Sequence, residues 1–417
     1  MQDIKIITRH LNTASSADID VYMADGGYQA LKKALSMTPD EVIAEVKRSK
    51  LVGRGGAAFP TGLKWELTRK EKANPKYIVC NASEGEPGTF KDRLILKNDP
   101  HMVLEGFIIA AYAVGTSQGF IHAREVYTEE IELFQKAIDQ ATERGFLGQN
   151  IMGSNFSLDI QFYKSAGAYI CGEETALFES LEGHRGIPAA RPPYPVQVGL
   201  MDKPTTVNNV ETLCNVPAII NNGADWFAAI GHPDYPGTKL FCLSGNVKEP
   251  GVFEMPLGTN LKDLLEAGGG VDGKFKAVLP GGISSSLLTE MDVNLDFKTL
   301  AKAGTMLGSG AVIVINSDTS MVNVASNVAH FFDEEGCGKC SICREGTRRA
   351  AEILSRFSRG QGNRNELEWL LELHEVMKDT ASCGLGQVAL NVAASAIRNF
   401  KGEFLAQVRK EEGVWLR

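Results

Sequence analysis

Three cysteines set three residues apart, Cys337, Cys340 and Cys343 in "GCGKCSIC", limit what this chain can fold into more than any other feature. Thiolates at every third residue can wrap one side of an iron–sulfur cube, but the local run supplies only three of them. The next cysteine is Cys383, in "TASCGLGQ". A helix out and a helix back would return it to the other three. Glycines at 336, 338, 384 and 386 would let backbone amides approach the sulfurs. Four thiolates also suit structural zinc, although zinc sites usually gather their ligands as two separated pairs, which a three-plus-one grouping fits less well. A C-x-x-C pair without metal, of the thioredoxin-like redox kind, is the third reading.

The other four cysteines read as core thiols. Cys80, Cys214 and Cys242 lie in apolar runs, and Cys171 sits in "GAYICGEET" beside a glycine-rich loop. Eight cysteines in 417 residues are too few for a secreted disulfide scaffold. The length calls for several domains. A net charge of −8 argues against nucleic acid as the main partner. The opening "MQDIKIITRHLNTASSADID" has no apolar signal region, and the most apolar run, "VLEGFIIAAYAVG", is too short to span a bilayer. These features point to a cytoplasmic protein without membrane insertion, free or docked as a soluble subunit on the cytoplasmic face of the inner membrane.

Residues 27–49 read as helical, with "TPDE" supplying a threonine cap and a proline at the first helical position. "KYIVCNASE" (76–84) reads as a buried parallel strand that feeds a loop. Helices are expected at 100–115 and 127–143, and strands at 119–125 and 156–165. This alternation predicts an α/β layer with a mostly parallel sheet. From 236 the texture changes to short strands, glycine-rich turns and one short helix, "NLKDLLEAGG", closed by the strand "GAVIVIN". From 321 onward the pattern is helical and amphipathic, as in "ELEWLLELHEVMKDT".

Glycine-rich and polar loops punctuate the first half. "GRGGAAFPTGLKW" (53–65) sets Arg54 and Lys64 around four glycines and Phe59, a pattern that admits a flat or phosphorylated ligand as well as a plain solvated loop. "CNASEGEPGTFKDR" (80–93) places acids and small residues at a strand's end, where open α/β sheets bind ligands. "GAYICGEETAL" (167–177) and "KPTTVNNVETL" (203–213) each put polar residues at a helix start.

Together and in this order, these four loops and "CGKCSICREGT…SCGLG" strongly resemble the flavin-bearing, NADH-oxidising subunit of respiratory complex I, the NADH-quinone oxidoreductase. They are also similar to its relatives in NAD-linked hydrogenases, formate dehydrogenases and electron-bifurcating complexes, the alternative parents. The resemblance implies an N-terminal helical segment with the first glycine-rich loop (1–60), a Rossmann-like FMN and NADH domain (61–235), a ubiquitin-like β-grasp module of the soluble-ligand-binding type (236–320), and a C-terminal four-helix bundle with one [4Fe–4S] cluster (321–417). It implies hydride transfer from NADH to FMN and single-electron transfer into the cluster. The implied partners are a thioredoxin-like [2Fe–2S] subunit, since no such domain precedes the first loop, and a larger iron–sulfur subunit of the parent complex.

Carried onto this chain, the resemblance implies an FMN cradle of Gly53, Arg54, Gly55, Gly56, Lys64, Asn81, Gly172, Glu173, Asn208, Asn209 and Thr212. Phe59, Glu84, Glu86 and Glu174 fall on the NADH side, with Glu86 and Glu174 closest to the reaction and Glu86 repelling the extra phosphate of NADPH. Tyr194 and Arg191, in "RPPYP", stand where the family has an aromatic and a cation for the adenine. Cys337, Cys340, Cys343 and Cys383 become the cluster ligands. Ser83 replaces an aspartate frequent in the family, and Leu67 replaces an aromatic.

Overall fold

The computed structural model describes residues 4–11, 13 and 15–409; the outer ends of the expected first and last segments, 1–3 and 410–417, lie outside the described residues. Helices α1 (Ile19–Ala24), α2 (Gln29–Leu35), α3 (Pro39–Arg48) and α4 (Thr61–Lys70) come first. The stretch 27–49 forms two helices, because Thr38 must be extended to cap α3. Its hydroxyl accepts from Glu41 N while the Glu41 carboxylate accepts from Thr38 N. There follow β1 (Tyr77–Ala82), α5 (Lys91–Asn98), α6 (Pro100–Val114), β2 (Gln118–Arg124), α7 (Thr128–Glu143), β3 (Asp159–Ser165), α8 (Glu174–Leu181), β4 (Thr205–Asn209), α9 (Val210–Asn222) and α10 (Ala224–Ala228).

The four strands form one parallel sheet in the order β3-β2-β1-β4. Register pairs Cys80 with Asn208 and Asn81 with Asn209, so two asparagines emerge side by side at the carboxyl edge of the central strands. Helices α6 and α9 meet with almost no space between them: a Cβ on Gly106 would stand 2.1 Å from the Leu213 carbonyl oxygen. Val42 and Val46 of α3 share one core with Phe107 and Ile108 of α6 and Ile219 of α9. The described helices of the expected 1–60 segment therefore pack as part of the α/β layer.

A two-stranded ribbon, β5 (Gly231–His232) and β6 (Tyr235–Pro236), leads into the second module. It contains β7 (Thr238–Gly245), β8 (Gly251–Pro256), α11 (Leu261–Ala267), β9 (Phe275–Leu279), α12 (Phe297–Lys302) and β10 (Ala311–Asn316). The sheet order is β8-β7-β10-β9, with β10 parallel to β7 and antiparallel to β9. Leu261, Leu264 and Leu265 of α11 bury against Phe241 and Leu243 of β7. Two short helices stand where one was expected; α12 is capped by Asp296.

The C-terminal part holds α13 (Met321–Glu335), α14 (Ser341–Ser358), α15 (Asn365–Thr380), α16 (Gly384–Val388), α17 (Asn391–Asn399) and α18 (Lys401–Ala406). Helices α13, α14, α15 and α17 close a ring of four, each packed on the next. Their shared core includes Phe332, Leu354, Leu370 and Ile397. No helix among the described residues is long and apolar enough to cross a membrane.

Candidate functional site

The carboxyl edge of the parallel sheet opens onto two adjoining hollows, a cavity of about 320 Å³ and a wider cleft of about 930 Å³. Gly55, Asn81, Gly172, Glu173, Asn209 and Gly384 line both. The loop between α3 and α4 forms one wall. A Cβ on Gly55 would come within 3.0 Å of Asn209 Cβ, so the loop approaches the asparagine only as glycine. Gly56 faces the cavity; Gly53, Phe59 and Lys64 face the cleft. Lys64 Nζ lies 3.3 Å from Glu174 Oε2, donates to the Val207 carbonyl at 3.2 Å and sits 5.8 Å from the Phe59 ring centre.

Arg54 departs from the expectation of a ligand-facing cation. Its side chain is fully buried beneath the loop, where Nη2 donates to the Pro236 carbonyl at 2.7 Å, while Nε and Nη1 find no hydrogen-bond partner among the described residues. Burial lowers its pKa to about 10, against the opposing pull of the Glu211 carboxylate. That buried anion explains the inward turn. Only the Arg54 backbone stays in the loop, held by N–H donation to Thr212 Oγ1 at 2.8 Å.

Asn81 Nδ2 donates to the Gly172 carbonyl at 2.9 Å and fastens the strand end to the turn before α8. Glu173 caps α8 by accepting from Thr175 N and Ala176 N. Arg191 bridges Glu173 and Glu174, and Tyr194 lies exposed along the cleft. Asn208 accepts from Trp65 Nε1 at 2.8 Å. Glu84 lines the cavity but points its carboxylate at the first turn of α5, accepting from Asp92 N at 2.9 Å and Arg93 N at 3.2 Å. Burial raises its pKa to about 7. Glu86 accepts from the Tyr169 hydroxyl at 2.6 Å and from Ser284 N and Oγ at 2.9 Å each; burial raises its carboxyl and these bonds oppose the rise.

Ser83 is also in the wall. Its hydroxyl lies 2.5 Å from Nδ1 of the fully buried His122, whose Nε2 reaches Ser180 Oγ at 3.0 Å. Leu67 lines the cleft with 39% of its surface exposed. Sequence reasoning did not single out Tyr169 or Ser284. Tyr169 lies inside the motif "GAYICGEETAL" and was within reach, whereas Ser284 comes from the second module and only the fold brings it here.

The four cysteines gather at one end of the bundle. Cys337 and Cys340 lie in the α13–α14 loop, Cys343 sits in the first turn of α14, and Cys383 caps α16. Burial and then the three neighbouring thiols push Cys343 up to about 12. Burial raises the Cys383 thiol, and the nearby amides of Gly386 and Leu385 oppose the rise. A Cβ on Gly386 would stand 3.1 Å from Cys343 Sγ, so the α15–α16 turn can close on the thiols only with glycine there. Among the described residues no three ligand groups stand close enough to hold a single ion. Four thiols near one another suit a cube, in which each binds its own iron. Cys383 also lines the wider cleft, so the thiol site and the glycine-walled hollow share a wall. Cys80, Cys171, Cys214 and Cys242 are buried free thiols, as expected.

The family model of the Nuo51 FMN-binding domain matches residues 46–218. The NADH-ubiquinone oxidoreductase-F iron–sulfur binding region matches 323–407, which contains all four clustered cysteines, and an SLBB domain matches 240–277. The second NADH-quinone oxidoreductase F subunit of Rhizobium meliloti (strain 1021) is 45% identical, over 97% of this chain and 98% of that protein. The NADP-reducing hydrogenase subunit HndC of Solidesulfovibrio fructosivorans is 47% identical, over 98% and 84%. Among solved structures, an NAD+-reducing [NiFe]-hydrogenase in the H2-reduced state superposes with a TM-score of 0.87 at 36% identity, covering 94% of this chain and 67% of that one.

Proposed function

We propose a function on one premise: the chain belongs to the family of the NADH-quinone oxidoreductase F subunits and their hydrogenase counterparts. It oxidises NADH with FMN and passes the electrons to a [4Fe–4S] cluster. The observation that carries this reading is the shared wall, since the cleft of glycines, Phe59 and Lys64 extends to Cys383. FMN, when bound, takes two electrons as hydride and releases them one at a time, which a nicotinamide and a cluster cannot exchange directly.

The residues fit both groups. Gly53, Gly55 and Gly56 admit a flat ring against Asn209, and Asn81, Asn208 and Thr212 offer amide and hydroxyl partners. Lys64 is a half-buried cation for the flavin side. Phe59 and Tyr194 give open aromatic faces to the rings of NADH, with Arg191 and Glu174 beside them. Glu86, fixed by Tyr169 and Ser284, presents a negative charge that disfavours a 2′-phosphate. Cys337, Cys340, Cys343 and Cys383 hold the cube. We assign the second module to the β-grasp type, from its mixed sheet and helix α11. The electrons leave to a thioredoxin-like [2Fe–2S] subunit and a larger iron–sulfur subunit. The parent assembly is a complex I or, on the near-equal likeness to HndC, a hydrogenase.

Anaerobic addition of reduced nucleotide tests this. NADH bleaches the flavin band and NADPH does so poorly. Glu86→Gln narrows that preference by roughly tenfold, about 1.4 kcal/mol. An undiminished preference in the variant removes Glu86 from nucleotide selection, and no bleaching by NADH in the native chain removes the function.

A further inference from the structure

Behind the cavity floor lies a buried chain of charges. Lys91, Glu211 and Lys239 have no exposed side-chain surface. Lys239, near the start of β7 in the second module, donates to Glu211 Oε2 at 2.5 Å, and Leu240 N donates to Glu211 Oε1 at 2.8 Å. Glu211, in the first turn of α9, pairs in turn with Lys91 Nζ at 3.0 Å. Lys91 bonds Asp92 Oδ1 at 2.6 Å and Asn209 Oδ1 at 3.3 Å, and Asn209 Nδ2 donates to Asp92 Oδ2 at 2.6 Å. Both polar ends of Asn209, a residue that lines both hollows, are thus held: Oδ1 accepts from Glu211 N at 3.0 Å as well as from Lys91, and Nδ2 is held by Asp92. Burial alone would raise Glu211, yet Lys239, Lys91 and Arg54 together hold it below the ordinary carboxylate range.

Such a ladder is a poor way to glue two modules together. Desolvating several charges costs about as much as their attraction returns, and well-packed apolar residues do as well or better. Its geometry has a specific terminus, however: the cavity wall, where Lys91 and Asp92 close around the Asn209 amide. We propose that Lys239 and Glu211 are positioning residues for the flavin, through which the second module fixes Asn209 and so controls flavin retention. This rests on the flavin reading above and deepens it.

The test titrates FMN into the deflavinated, cluster-containing chain and measures the dissociation constant by flavin fluorescence. Alongside, thermal unfolding reports stability. Lys239→Met binds FMN about tenfold more weakly, a loss of ~1.4 kcal/mol, and Lys239→Arg restores affinity. Glu211→Gln, which keeps the side chain's shape, weakens binding in the same direction and serves if Lys239→Met does not fold. Lys276→Met is the control: it breaks a bond between the second module and the bundle, Lys276–Glu403 at 2.6 Å, away from the cavity. It lowers the unfolding temperature and leaves FMN affinity unchanged. Native FMN affinity in folded Lys239→Met or Glu211→Gln overturns the positioning role. An equal loss in Lys276→Met overturns it too, since the effect then follows module adhesion. A native chain that binds no FMN overturns the functional reading itself, a result distinct from either.

Discussion

Arg54 shows how far single residues can be read from sequence. A cation among glycines suggests a phosphate ligand, but the side chain turns inward because Glu211, far along the chain, lies buried beneath it. Lys64, by contrast, reaches the cleft as its motif implies. Ser83 stood out as a departure, but nothing local pointed to its partner. Strand pairing across the sheet puts His122 under it, with the ring stacked on Tyr163 at 5.4 Å. Burial pushes the His122 pKa down to about 4 from 6.5. The unfolded chain therefore binds a proton between those values and the folded chain does not. His122 contributes stability above pH 6.5 that is lost as pH falls toward 4, about 3 kcal/mol in full. The unfolding temperature of the native chain should fall through this window more steeply than that of His122→Phe. Parallel curves would show that the ring is not desolvated as described.

At the scale of elements, much was legible because punctuation and periodicity agree. "TPDE" marks the start of α3, and Asn209 and Glu173 cap their helices where "VNNVET" and "CGEET" place them. The helix α4, which begins inside a segment read as glycine-rich loop, was missed; its first residues, Thr61 and Gly62, carry no strong helical signal. The three-plus-one cysteine spacing required a return turn, and α15 and α16 form it. Gly386 is the tight point of that turn. A methyl group there would stand 2.7 Å from Ala381 Cβ and 3.1 Å from Cys343 Sγ. Overpacking of this kind costs about 1–3 kcal/mol. Gly386→Ala should lower iron content while leaving flavin content near native, as read by metal and flavin quantitation. Native iron content would mean that the turn yields without disturbing the thiols.

At the scale of the whole molecule, the site belongs to no single module. The α/β layer supplies the glycine loop and the asparagines, the second module supplies Ser284, Gly308 and Ser309, and the bundle supplies Gly384 and Cys383. Two changes of texture along the sequence, at 236 and 321, foreshadow the three modules. Their convergence on one cleft could not be read from sequence, because the long-range packing that creates it leaves no periodic trace. That convergence is what makes electron transfer from nucleotide to cluster a property of one chain. Electron paramagnetic resonance of the anaerobic chain before and after NADH tests this most directly. A cleft that joins nucleotide to cluster predicts a reduced [4Fe–4S] signal that appears with NADH. Flavin bleaching with no such signal would contradict it, because the cleft and the cysteines would then share a wall without sharing electrons.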